Sequence, residues 1–160
     1  MDFLLELARC FAVEESVAGV WVQSCQGHYF VGTAYEALGD SEKAKASFEQ
    51  AVAERQDEDL SDDYYWRALA LKKIGRDDEA KKIFDDLISL GQRRLTPKAM
   101  DFFAKFGEQQ TNDDKLSAAH YLIGLGQVGN GQTEAAKAEF AKAAELNINH
   151  LWAKVQLSLL

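Results

Sequence analysis

The stretch GHYFVGTAYEALGDSEKAKASFEQA, residues 27–51, returns as DYYWRALALKKIGRDDEAKKIFDDL at residues 63–87 and as AHYLIGLGQVGNGQTEAAKAEFAKA at residues 119–143. With Gly39, Gly75 and Gly131 superposed, an alanine follows five residues later each time (Ala44, Ala80, Ala136) and a phenylalanine four beyond it (Phe48, Phe84, Phe140). Three further on stand Ala51, Leu87 and Ala143, while the glycines are preceded by small residues at Gly32, Ala68 and Gly124. Each copy opens on an aromatic or imidazole pair: His28-Tyr29, Tyr64-Tyr65, His120-Tyr121. The Ala-x-x-x-Phe-x-x-Ala/Leu spacing puts three apolar groups on one helical stripe. Glycine enters the left-handed conformation that ends a helix without a Cβ penalty, and Asp40, Asp77 or Thr133 is placed to cap the helix that follows. The pattern therefore predicts a helix hairpin written three times. A lone hairpin cannot bury its apolar stripe, so successive copies must stack.

Composition agrees with an all-α chain. Of 160 residues 47% are hydrophobic, enough for a sizeable core, and a single proline, Pro97, interrupts a sequence rich in helix formers. The formal charge of −8 speaks against a nucleic-acid binder, whose affinity would come from clustered Lys and Arg. Lys72, Lys73, Lys81 and Lys82 are interleaved with acids and read as a solvated helix face. The two cysteines, Cys10 and Cys25, form no C-x-x-C pair and have no basic neighbour to activate them. They are expected to be packing residues in a reducing, cytoplasmic compartment. Asp2, Glu6 and Arg9 break the apolar run at the N-terminus, so neither a secretory leader nor a membrane span is expected there.

The repeated positions resemble the tetratricopeptide repeat, a helix-turn-helix unit marked by an aromatic, Leu-Gly, Tyr, and then Ala, an aromatic and Ala. VGTAYEALGDSEKAKASFEQA keeps most of that signature, and the other copies keep less. The terminal proline is missing throughout, Ile148 standing near its place in ELNINH. The resemblance implies a right-handed solenoid of stacked antiparallel hairpins in a single domain, 1–160. Repeats are expected at 25–58, 61–94 and 117–150, a partial preceding repeat or N-terminal cap at 1–24, and a C-terminal capping helix at 151–160. Gly39 and Gly75 are 36 residues apart but Gly75 and Gly131 are 56, which leaves a helical insertion at 95–116. There Thr96, Pro97 and Gly107 carry start and stop signals, and Met100, Phe102, Phe103 and Phe106 are expected to be buried or to form an aromatic contact. The run from residue 64 onward also resembles the C-terminal repeat region of some large bacterial multi-domain proteins. The chain would then be an appendage of something larger.

No catalytic constellation stands out. GLGQVG, residues 124–129, fits G-x-G-x-x-G as a string, but the pattern needs a strand turning into a helix and the residues before it read as helix. His28, His120 and His150 are too far apart in the repeats for a metal site, and two of them stand where the repeat places an interhelical aromatic. The acid pairs Asp62-Asp63, Asp85-Asp86 and Asp113-Asp114 have no nucleophile or histidine tied to them. Neither cofactor nor metal is expected, and the chain does not read as an enzyme.

What remains is a surface. By the resemblance, the first helix of each hairpin lines a concave groove, which would place Tyr29, Tyr65 and Tyr121 in a ladder facing solvent. Thr33, Leu69 and Leu125 would follow one turn on, then Glu36, Lys72 and Val128. Family members that clamp a chaperone's C-terminal carboxylate use Lys, Asn and Arg at such positions, and this chain has Tyr and Thr instead. The expected function is a protein- or peptide-binding scaffold. The alternative is an oligomerising or intramolecular docking module, with Leu157, Leu159 and Leu160 of the apolar C-terminal helix pairing two copies as a homodimer.

Overall fold

The computed structural model describes residues 24–54, 61–96 and 108–160, with side chains at 108–111 left aside. The described residues form seven helices: α1 (Cys25–Ala37), α2 (Ser41–Ala53), α3 (Asp63–Lys73), α4 (Asp77–Leu95), α5 (Glu108–Gly129), α6 (Thr133–Leu146) and α7 (Leu151–Leu159). No strand occurs among them. Among the described residues the fold is all-α and built of antiparallel helix hairpins. It divides into two compact units, the boundary falling inside α4 between Lys81 and Lys82. Cys10, and Met100, Phe102, Phe103 and Phe106 of the expected extra helix, lie outside the described residues.

One turn geometry recurs in all three hairpins. Gly39, Gly75 and Gly131 have φ of 80°, 79° and 76°, the left-handed conformation that side chains with a Cβ resist. At each turn the glycine N–H bonds the carbonyl three residues back, and the next N–H bonds the one five back: Asp40 to Tyr35, Arg76 to Leu71, Gln132 to Gln127. These paired bonds satisfy carbonyls that a helix end would otherwise leave open. Only the first following helix receives the side-chain cap expected of it, Lys43 N–H donating to Asp40 at 3.1 Å. Asp77 and Thr133 are instead the first helical residues of α4 and α6, and Gln132 before α6 makes no such bond. A cap needs non-helical backbone at its own residue, so a polar residue already inside the first turn cannot serve.

In the first unit α1 and α2 form a hairpin and α3 packs on both. Phe48 of α2 is 3% exposed, and its ring occupies the space a Cβ on Gly32 would need, at 2.5 Å. The second unit repeats this contact, Phe140 of α6 lying 2.5 Å from a Cβ built on Gly124 of α5. Burying each phenylalanine stabilises its hairpin by about 1.5–3 kcal/mol. The buried Ser117 hydroxyl joins α5 to α6 by donating to the Ala143 carbonyl at 2.7 Å.

Helix α5 is buried on more than one side: every residue from Tyr121 to Gly126 is buried. Its glycines explain how helices approach from two directions. Gly124 faces α6, while a Cβ on Gly126 would meet the Phe84 carbonyl oxygen of α4 at 2.5 Å and one on Gly129 would overlap the Phe84 ring. Gly91 of α4 reciprocates by accepting Ile123 and the Ala119 carbonyl of α5. The GLGQVG string is thus a packing device within a helix, with no strand before it. Helix α5 also begins at Glu108, nine residues before the expected start of the third repeat at Ser117.

Candidate functional site

Helices α1 and α3 of the first unit meet along a seam fastened at both ends. At one end the Tyr29 and Trp66 rings lie 5.6 Å apart and Phe30 and Trp66 5.0 Å apart, with Tyr29 and Phe30 in edge contact at 5.9 Å. At the other, Lys73 Nζ of α3 donates to Glu36 Oε2 of α1 at 2.5 Å. Seven residues, two helical turns, separate Tyr29 from Glu36 and Trp66 from Lys73. Both pairs therefore lie on matching stripes of the two helices. Phe30 is 38% exposed and Trp66 half-buried. Between the ends lie half-buried Thr33, whose hydroxyl donates to the Phe30 carbonyl, and half-buried Leu69. Glu36 and Lys72 are exposed.

The expected tyrosine ladder is corrected by burial. Tyr29 is half-buried against Phe48, whereas Tyr65 and Tyr121 are 5% and 7% exposed and Leu125 is 1% exposed. Tyr121 packs on Phe140 at 5.8 Å and on His150 at 4.6 Å, so its face is spent on the fold. Burial pushes the Tyr65 hydroxyl up to about 12, the neighbouring Tyr29 adding to the shift. Tyr29 is also raised, first by burial, with Lys73 opposing and Glu36 adding. Of the expected groove residues, Tyr29, Thr33, Glu36, Leu69, Lys72 and Val128 retain an outward component. Phe30 and Trp66 were not among them. Their signal was present in the sequence as the second aromatic of Tyr29-Phe30 and Tyr65-Trp66.

The histidines are structural contacts. His28 Nε2 sits 3.6 Å from Glu54, and His120 Nδ1 lies 2.6 Å from Glu139, each joining the two helices of a hairpin. Burial works against the Glu139 carboxylate, but hydrogen bonds from Lys142 and His120 outweigh it and hold the group below the usual range. His150 caps α7, its Nδ1 accepting the Ala153 N–H at 3.3 Å. Cys25 is buried. Among the described residues no group of three or more His, Cys, Asp or Glu is placed to hold a metal ion. None of their helices is long and apolar enough to cross a membrane.

Repeated hairpins, glycine turns and phenylalanines seated on small residues define a helical-repeat architecture. The chain carries tetratricopeptide repeats: two family models described as tetratricopeptide repeat match residues 26–58 and 64–90. No curated protein matches the chain, and no solved structure does. Tetratricopeptide repeats generally mediate protein–protein interactions and are generally non-catalytic.

Proposed function

We propose that this chain is a non-catalytic scaffold whose α1/α3 seam docks a segment of a partner protein. The observation that carries the reading is the Tyr29-Phe30-Trp66 cluster, aromatic area left partly open beside the polar Thr33, Glu36 and Lys72. Rigid aromatic side chains ringed by polar groups are the usual anchors of protein interfaces. The seam runs along two helices, which suits an extended segment or a helix laid into it. The test is selection of a random peptide library on the full chain, followed by affinity measurement on Phe30→Ala. That residue is exposed enough for the variant to keep its fold. Selected peptides should lose about tenfold or more in affinity, the weight of an anchor residue of roughly 1–2 kcal/mol. Equal binding to parent and Phe30→Ala would overturn the assignment.

A second reading, self-association, rests on α7. Five of the seven exposed large hydrophobic residues described fall between Ile148 and Leu159. Trp152, Val155 and Leu159 stand at i, i+3 and i+7 on one helical stripe, and clustered apolar surface of this kind marks an interface. The same stripe would serve for docking on the rest of a larger protein. Sedimentation of the parent against Leu159→Lys at tens of micromolar separates the cases. A dimer lost in the variant supports pairing of copies, and a monomeric parent removes it.

A further inference from the structure

Helix α7 is built like the first helix of a hairpin. Both α1 and α7 start on a side chain that accepts the N–H three residues on, Ser24 from Gly27 at 3.0 Å and His150 from Ala153 at 3.3 Å. The shared cap aligns Leu151, Lys154, Val155 and Ser158 with Cys25, His28, Tyr29 and Gly32. The matching phenylalanine seats on Gly32 and Gly124 extend the alignment to Ser117, His120, Tyr121 and Gly124 of α5. These positions fall at i, i+3, i+4 and i+7, one helical stripe.

In α1 and α5 a second helix lies on that stripe. Phe48 of α2 reaches Tyr29 and Gly32, and Glu54, just past α2, reaches His28. Phe140 of α6 reaches Tyr121 and Gly124, Glu139 reaches His120, and the Ala143 carbonyl takes the Ser117 hydroxyl. On α7 the stripe is open: Leu151 is 67% exposed, Lys154 and Ser158 are exposed and Val155 is half-buried. Helix α7 packs on α6 and buries Ala153 and Gln156, which lie off the stripe.

The alignment defines what fits. A large apolar group belongs over Ser158, the small residue standing where the two glycines seat rings. The Ser158 hydroxyl already donates to the Val155 carbonyl at 2.7 Å, so covering it leaves no donor unpaired. Its Cβ fills space that the glycines leave open, and a helix not tied to α7 by a short turn can stand off by that width. A carboxylate belongs opposite Lys154. His28 and His120 each meet a glutamate at this position, whereas Lys154 meets none among the described residues. Helix α7 holds no Asp or Glu, so a second α7 cannot supply the missing charge.

We propose that this stripe of α7 docks an amphipathic helix of a partner protein, a glutamate on Lys154 and the adjoining large apolar residue on Ser158, as Glu139 and Phe140 sit on α5 within the chain. The site is independent of the α1/α3 seam. It shares only Val155 with the Trp152, Val155 and Leu159 stripe of the self-association reading.

The probe is the capped synthetic peptide QTEAAKAEFAKAAELN, residues 132–147 of this chain, which carries that Glu-Phe pair on a helix. It is titrated into the isotope-labelled 160-residue chain and followed by backbone amide NMR. Saturable shifts are expected along α7, from Leu151 to Leu159. The peptide carrying Phe140→Ala should bind about tenfold more weakly, the weight of an anchor residue. The peptide carrying Glu139→Lys should bind about threefold more weakly and recover on the Lys154→Glu chain, in line with the modest worth of an exposed ion pair. The chain variant Ser158→Arg, at an exposed position and so without cost to the fold, should lose the saturable shifts. Equal binding of the Phe140→Ala peptide, undiminished binding to Ser158→Arg, or no recovery in the charge-swapped pair would overturn the proposal. So would shifts centred on α1 or α5, where the peptide merely replaces a helix of the chain, or no saturable shifts up to about 10 mM peptide, a limit corresponding to negligible affinity. Because the readout is local to α7, failure here leaves the seam untouched, and failure of the seam leaves this site standing.

Discussion

The contact between Gly129 and Phe84 permits a double-mutant cycle whose sign is fixed by geometry. Phe84 is 1% exposed, and a Cβ built on Gly129 overlaps its ring. Phe84→Ala alone removes a fully buried ring and should cost about 3–5 kcal/mol. Gly129→Ala alone gains up to about 1 kcal/mol of helix propensity, but forces the ring against a packed core at about 1–3 kcal/mol, for a net loss of about 1–2 kcal/mol. Together the two changes relieve each other. With the ring gone the new methyl enters vacated space and the propensity gain is kept, so the double variant should lose only about 2–4 kcal/mol. The coupling is therefore about −2 to −3 kcal/mol, far outside the roughly 0.5 kcal/mol scatter of independent sites. Urea denaturation of the four proteins, read from midpoints at unchanged slope, measures it. Additive losses would refute the packing described for α4 and α5.

Two further outcomes follow from the described geometry. Stability should fall as pH rises from about 10 toward 12: unfolded chain releases the Tyr65 proton near pH 10, while folded chain holds it until about 12. The full loss is about 2–3 kcal/mol, checked by melting temperature against pH in the parent and in Tyr65→Phe, whose profile should be flatter. Gly75→Ala should cost about 1–2 kcal/mol, although nothing lies within 4 Å of the added methyl, because φ there is +79°. Gly75→Asn should recover part of that in the same denaturation assay, since asparagine tolerates the left-handed region.

The repeat was legible because its core positions are local in sequence and chemically monotonous. Ala44, Phe48 and Ala51, then Ala80, Phe84 and Leu87, then Ala136, Phe140 and Ala143 are all at most 4% exposed. A 3.6-residue period and a glycine stop are enough to find them. The outer surface was less legible. Tyr29, Tyr65 and Tyr121 share a position in the repeat but not an environment, for His150 packs against Tyr121 while Tyr29 meets Trp66 and stays half-buried. Exposure depends on which neighbour arrives, and no spacing rule carries that information. The early start of α5 was hidden because EQQTNDDKL, residues 108–116, has little apolar periodicity.

Helix α5 interrupts itself with Gly124 and Gly126 and ends on Gly129, which costs roughly 2–3 kcal/mol of intrinsic helicity relative to alanine. Excised as a peptide, it has little reason to coil. Its order is borrowed from Phe84 and Ile88 on one flank and Phe140 on the other, the groups its missing side chains admit. A chain emerging from the ribosome cannot settle α5 until α6 has followed it out, however early α4 was made. The second unit should accordingly open and close as one block in hydrogen exchange, α5 amides reporting the same opening energy as those of α6.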